Sequence, residues 1–176
     1  MLVDSLRNAL GPERVSDRPI DLARLAHDAS HYLVRPRAVV VARESADIAR
    51  ALLPDDRYRL RAQVSQWIAD PAVDGILVTG GTGFTGRDST PEALLPLLDK
   101  DMPGFGELFR QISFDEIGTS SLQSRAFAGL ANQTFLFCLP GSTSACRTGW
   151  EKIVRAQLDA RTRPCNLATL RPRLKE

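Results

Sequence analysis

The chain has 176 residues, 43% of them apolar, which suits one globular domain with a substantial core. Its 23 basic and 21 acidic residues leave a formal charge of +2, with no Lys/Arg run to form a nucleic-acid footprint, so no nucleic-acid partner is expected. Apolar runs such as Ala38 to Ala42 and Phe135 to Leu139 fall far short of the roughly 20 residues of a membrane span, and Asp4, Arg7 and Asn8 interrupt the start where a secretion signal needs a continuous apolar stretch.

A cytoplasmic protein with no membrane partner is therefore expected. Cys138, Cys146 and Cys165 are an odd number without CxxC spacing, which fits reduced thiols better than a disulfide framework or a zinc site. Both histidines, His27 and His31, fall early. The rest of the chain must work without imidazole acid/base chemistry or His ligands.

In chain order, short amphipathic helices are predicted over Val3 to Leu10 and around Asp21 to His27. Val39 to Val41 reads as a strand, and Ser45 as the cap of a helix reaching Leu53. Asp55 and Asp56 follow Pro54, and as residues ahead of a helix they read as solvated caps. Val64, Trp67 and Ile68 recur at helical spacing from Arg61 to Ala69. Ile76 to Val78 is a compact apolar run, as for a buried parallel strand emptying into a glycine loop.

The next helix is predicted from Ser89 or Thr90, with Pro91 in its first turn and Leu94, Leu95, Leu97 and Leu98 along it. Met102 to Phe109 is punctuated by Pro and Gly, and Leu122, Ala126 and Leu130 suggest a helix over Leu122 to Leu130. A second strand is predicted over Thr134 to Leu139, then a helix through Trp150, Ile153, Val154 and Leu158. The tail from Thr162 reads as irregular. Alternating helices and short strands predict an α/β fold with a mostly parallel sheet covered on both faces. Such a sheet places ligands beyond the carboxyl ends of its strands.

Two loops then share one rim. In Thr79-Gly80-Gly81-Thr82-Gly83, glycines permit positive φ and close approach, so successive N–H groups can converge on phosphate oxygens beside a helix start. No Gly-Lys-Ser/Thr follows, so this is not a P-loop, nor is it the dinucleotide fingerprint. A tight turn after a buried strand is the plain alternative. Asp88 and Glu92 lie just beyond, and carboxylates beside phosphate repel it unless a divalent cation bridges them, which makes Asp88 a candidate magnesium ligand. Glu92 reads equally as a first-turn residue boxed with Ser89. The second loop is Pro140-Gly141-Ser142-Thr143, which is also read as an ordinary helix cap.

The ordered set GGTG (80–83), RDSTPEA (87–93), MPGFGELFR (102–110), SF-x-x-IGTS (113–120) with SRAFAG (124–129), and LPGSTSACR (139–147) resembles the MoaB/Mog family of molybdenum-cofactor proteins. PDDRYRLRAQVSQWI (54–68) also matches the helix ahead of that family's glycine strand. The resemblance, from about Leu53 onward, implies a three-layer α/β/α sandwich, assembled as a homotrimer or homohexamer, that binds molybdopterin. It also implies adenylylation in catalytic members: the pterin's terminal phosphate attacks the α-phosphate of Mg-ATP, pyrophosphate leaves, and a partner protein that inserts molybdenum receives the product. Non-catalytic binding within the same pathway is the alternative.

Residue by residue, the resemblance gives Thr79 and Gly80 to Gly83, with Glu92, to phosphate, Asp88 and Asp55 to catalysis with Asp88 on magnesium, and Pro140, Gly141 and Ser142 to the pterin pocket. Ser113 and Arg125 match as well, Arg125 reading equally as a structural ion pair. The first 52 residues depart from the pattern, lacking the family's opening strand and Ser-Asp/Asn-Arg loop. PIDLARLAHDASHYLVRPRAVVVARESADIARALL (19–53) is similar to the start of FAD-linked oxidases, but no flavin loop follows and no FAD is expected. Alternatively, Asp28, Ser30, Tyr32 and Leu33 are a diverged form of the family's Asp-Thr-Ser-Gly segment. Two parts are expected: an atypical segment over residues 1–52 and the family domain over 53–176.

Overall fold

The computed structural model describes residues 56–175. The expected elements over Val3 to Leu53, the oxidase-like segment and Asp55 lie outside these residues.

Helix α1, Arg57–Ala69, begins four residues earlier than the apolar spacing suggests. Asp56 is the reason: its Oδ1 accepts from the backbone N–H groups of Tyr58 and Arg59, both at 2.9 Å, satisfying donors that a helix start otherwise leaves open. The chain then enters strand β1, Gly75–Thr79. After the glycine loop, α2 spans only Thr90–Leu94, because Pro96 tightens the expected longer helix into a 3-10 turn over Leu95–Leu97.

Strand β2, Lys100–Asp101, leads into α3, Pro103–Ile117, a helix of 15 residues where the sequence showed only Pro/Gly punctuation. Pro103 sits in the first turn, where its missing N–H costs nothing. Gly106 is small for a packing reason, since a methyl there would meet the Ala126 carbonyl at 2.6 Å. Phe105 and Phe109, one turn apart, supply the buried stripe.

The helix expected over Leu122 to Leu130 does not form. A 3-10 stretch, Gly118–Gln123, gives way to strand β3, Phe127–Ala131, and Leu122 is 81% exposed. The spacing of Leu122, Ala126 and Leu130 is coincidental. What decides the strand is its antiparallel pairing with β4, Thr134–Leu139, across a tight turn at Asn132 and Gln133, both at positive φ. Helix α4, Thr143–Gly149, runs through a π-helical turn, Trp150–Val154, into α5, Arg155–Leu158.

The tail is more ordered than expected. Asn166 is buried and caps α6, Leu167–Leu170, accepting from Thr169 N–H at 2.8 Å while donating to the Thr162 carbonyl at 2.9 Å. A 3-10 turn, Arg171–Lys175, follows, and Arg171 pairs with Asp74 at the head of β1.

The α/β class is as expected, but the mostly parallel sheet is not found among the described residues, because the tight turn at Asn132 and Gln133 makes β3 and β4 an antiparallel hairpin. Among the described residues the sheet is mixed, in the order β1-β4-β3-β2, with β1 parallel to β4 and the other pairs antiparallel. Every residue of β4 is buried. Its Phe135, Phe137 and Leu139 join Phe105, Phe109, Ile153 and Val154 on one face. Leu136 and Cys138 join Val64, Val73, Ile76, Ala93 and Leu94 on the other. The run of apolar residues at the centre is thus what a strand covered twice requires. Strand β1 differs, with Ile76 buried and Leu77 47% exposed, so among the described residues only one of its faces is covered. Burial also pushes the Cys138 thiol well above its ordinary pKa, leaving it inert.

Candidate functional site

Because β1 and β4 run parallel, their carboxyl ends open at one rim, and the two predicted loops meet there. Gly80 N–H continues the ladder by donating to the Leu139 carbonyl at 2.9 Å. A methyl on Gly141 would lie 3.3 Å from the Gly80 α-carbon, so the loops touch backbone to backbone. Gly80 has φ +100° and Gly81 φ +65°, conformations that side chains other than glycine rarely adopt. A methyl on Gly81 would also overlap the Thr90 hydroxyl.

The carbonyls of the glycine loop are all held by protein donors. Gly80 O accepts from Thr90 Oγ1 at 2.9 Å and Gly81 O from Thr90 N–H at 3.0 Å. Thr82 O accepts from Arg125 N–H at 3.1 Å and Gly83 O from Arg125 Nε at 2.9 Å. With the carbonyls engaged, the N–H groups of Gly81, Thr82 and Gly83 have no acceptor among the described residues. Consecutive unpaired donors on a glycine turn are what an anion nest requires, and Thr82 in the middle of the turn is buried.

Arg125 is the centre of this brace. Its Nη2 donates to the Asp88 carbonyl at 3.0 Å, its Nη1 pairs with the Glu92 carboxylate, and its guanidinium lies 5.2 Å from the centroid of the Phe84 ring. The sequence offered two readings of this residue, and the ion pair exists. It is one of several contacts that shape the loop. The Arg125 hydrogen bond holds the Glu92 carboxyl below its usual range, with burial opposing. Glu92 is therefore engaged with Arg125, and Ser89 makes no side-chain cap to α2.

Asp88 is buried, and both of its side-chain hydrogen bonds fall on Oδ2, from Thr85 N–H at 2.8 Å and Thr85 Oγ1 at 2.6 Å. The same oxygen would lie 2.8 Å from a methyl on Gly83, so the carboxylate packs directly against the glycine turn. Oδ1 takes no hydrogen bond among the described residues. The structure thus brings together Thr79, Gly80, Gly81, Thr82, Gly83 and Asp88 on one loop and Pro140, Gly141 and Ser142 on the next. Ser142 also caps α4, its Oγ accepting from Ala145 N–H at 3.3 Å. Ser113 is buried on α3.

Two residues of this site escaped sequence reasoning. Thr90 and Thr85 hold the loop through their hydroxyls, and the only hint was a hydroxyl residue at each position. No group of three or more His, Cys, Asp or Glu side chains among the described residues is placed to hold a metal ion. No helix there is long and apolar enough to cross a membrane.

Fold and site together define an α/β protein with a braced glycine loop at the junction of two parallel strands. Residues 37–160 match the family described as a probable molybdopterin binding domain, and the chain belongs to that family. The matched stretch starts ahead of Leu53. Molybdenum cofactor biosynthesis protein B of Escherichia coli (strain K12) is 54% identical over 149 residues, covering 85% of each chain. The protein of that name from Staphylococcus carnosus is 44% identical over 110 residues, 62% of this chain and 64% of the relative. Among solved structures, a molybdenum cofactor biosynthesis protein B superposes with TM-score 0.63 and 36% identity, over 72% of this chain and 74% of the other. The tungsten cofactor synthesizing protein MoaB from Pyrococcus furiosus gives 0.54 and 38%, over 58% and 66%. The chain is thus a member of a molybdenum-cofactor biosynthesis family.

Proposed function

We propose that the chain binds molybdopterin at the glycine rim, with the terminal phosphate on the N–H groups of Gly81, Thr82 and Gly83 and the pterin against Pro140, Gly141 and Ser142. The loop carries this reading: its carbonyls are engaged by Thr90 and Arg125, its N–H groups have no acceptor among the described residues, and a second loop adjoins it. Backbone donors suit a phosphate because they supply directed hydrogen bonds without adding a counter-charge that must be desolvated. Equilibrium titration with molybdopterin tests it, with saturable binding expected and no binding overturning it.

A second step, adenylylation with ATP and magnesium, is supported by the open Oδ1 of Asp88. A nucleotide-bound magnesium ion needs only one or two protein carboxylates, its other ligands being phosphate oxygens and waters. Asp88 meets that minimum and is the residue that would hold the ion, which supplies charge neutralisation when bound. The reaction forms a bond from a pterin phosphate oxygen to the α-phosphorus of ATP and breaks that phosphorus's bond to the pyrophosphate oxygen. The chain's own part is alignment, through the nest and the loop braced by Arg125. The product is the form a molybdenum-inserting partner would receive. Incubation with molybdopterin and Mg-ATP, followed by chromatography with mass detection, should yield adenylyl-molybdopterin. Binding without product leaves the chain a non-catalytic carrier.

The same reading gives a cytoplasmic homotrimer or homohexamer. Leu77, Phe114, Ile117 and Leu122 are exposed apolar side chains that a symmetric assembly would cover. Light scattering after size exclusion checks this, a monomer being the contrary result. The family match takes in residues 37–55 together with the described domain, and a chain begun near Ala51 should melt earlier than the full chain. An unchanged melting temperature would leave them outside it.

A further inference from the structure

Phe84, the residue after the last glycine of the nest, is 71% exposed. A single exposed apolar side chain is ordinary, but this one is oriented. The Arg125 guanidinium lies over one face of the ring, 5.2 Å from its centroid. That guanidinium is itself fixed by the Gly83 carbonyl, the Asp88 carbonyl and the Glu92 carboxylate. The ring is held on one side by a group that cannot easily move, and most of its surface is open to solvent.

We propose that Phe84 is a stacking platform for a planar nitrogen heterocycle, a purine or a pterin, carried on the phosphate that sits in the nest. The inference rests on the phosphate reading of the Gly81 to Gly83 donors: a purine on Phe84 leaves the pterin against Pro140, Gly141 and Ser142, whereas a pterin on Phe84 takes the place of that contact. Three features support it. Phe84 adjoins Gly83 in the chain, so a ring joined to the phosphate by a sugar-sized spacer can reach it. The cation behind the ring polarises its π system, and a flat heterocycle gains from an aromatic face already oriented, with little ordering left to be done on binding. The heterocycle also covers an apolar surface that otherwise faces water.

The test compares ligands with and without a ring on the full chain. Molybdopterin, adenosine 5′-monophosphate and ribose 5-phosphate are titrated calorimetrically into the wild type, Phe84→Leu and Phe84→Tyr. At least one ring-bearing phosphate should bind the wild type more tightly than ribose 5-phosphate does. Phe84→Leu should weaken that ligand about tenfold, the scale of aromatic stacking on a nucleobase, and bring it level with ribose 5-phosphate. Phe84→Tyr should keep the preference. Which ligand loses affinity in Phe84→Leu identifies the heterocycle as pterin or purine. Equal ring-bearing affinity in the wild type and Phe84→Leu overturns the platform alone. So does a changed oligomeric state in Phe84→Leu with ligand affinities unaltered. Failure of every phosphate to bind the wild type overturns the phosphate reading together with the platform.

Discussion

Arg125 Nε donates to the carbonyl oxygen of Gly83 at 2.9 Å, joining two residues 42 positions apart. Through this bond the chain entering β3 sets the shape of the loop leaving β1. The other contacts of Arg125, to Asp88 and Glu92, act on the same loop, so one side chain fixes most of its outer half.

Arg125→Lys is expected to lower stability by about 2 kcal/mol, the scale of hydrogen bonds to a charged donor, because a single ammonium cannot reach three acceptors in a planar fork. Phosphate binding should weaken with it. Thermal melts and a phosphate titration of the variant measure the two effects, and an unchanged loop would show as wild-type values in both.

Glu92 carries the pH dependence of this brace. Its hydrogen bond from Arg125 lowers the folded-state pKa below the ordinary value of 4.5. A depressed folded pKa contributes stability that is full above the unfolded value and is lost as pH falls through the folded one. Glu92→Gln should therefore melt below the wild type at neutral pH, and the gap should close on acidification below about pH 4. The Glu92 side chain is 41% exposed, so the gap is small and shrinks further in high salt. Paired melting curves from pH 7 to pH 3 follow it.

The glycines separate into those the loop needs and those it does not. At Gly81, a side chain meets both a positive φ and the Thr90 hydroxyl, and Gly81→Ala should cost about 2–3 kcal/mol. At Gly86, nothing lies within 4 Å of an added methyl, and Gly86→Ala should stay within about 0.5 kcal/mol of the wild type. Denaturant midpoints of the two variants compare them directly.

Much of this was legible in the sequence where the signal is local. The strand at Thr134 to Leu139 announced itself as a continuous apolar run, and the glycine loop stood out by composition between a strand and a helix. Helix α3 was hidden because Pro103, Gly104 and Gly106 read as breakers, although a first-turn proline and a glycine fitted against the Ala126 carbonyl are both compatible with a helix. Strand β3 was hidden by its small residues, Ala128, Gly129 and Ala131, whose place in the sheet is set by the partner strand. The roles of Thr90 and Arg125 were not legible in spacing, since each depends on contacts across 10 or more positions. Asp88 was picked out by its carboxylate, and the structure adds that Thr85 occupies one of its oxygens.

Molybdopterin's phosphate is proposed to sit on the unpaired N–H groups of Gly81, Thr82 and Gly83. Equilibrium binding of molybdopterin to the wild type, Gly86→Ala and Gly81→Ala tests it most directly, with cooperative melting of each variant as the folding control. Saturable binding to the wild type and Gly86→Ala is expected, with affinity at least about tenfold lower in a folded Gly81→Ala. Undiminished binding to Gly81→Ala would contradict it.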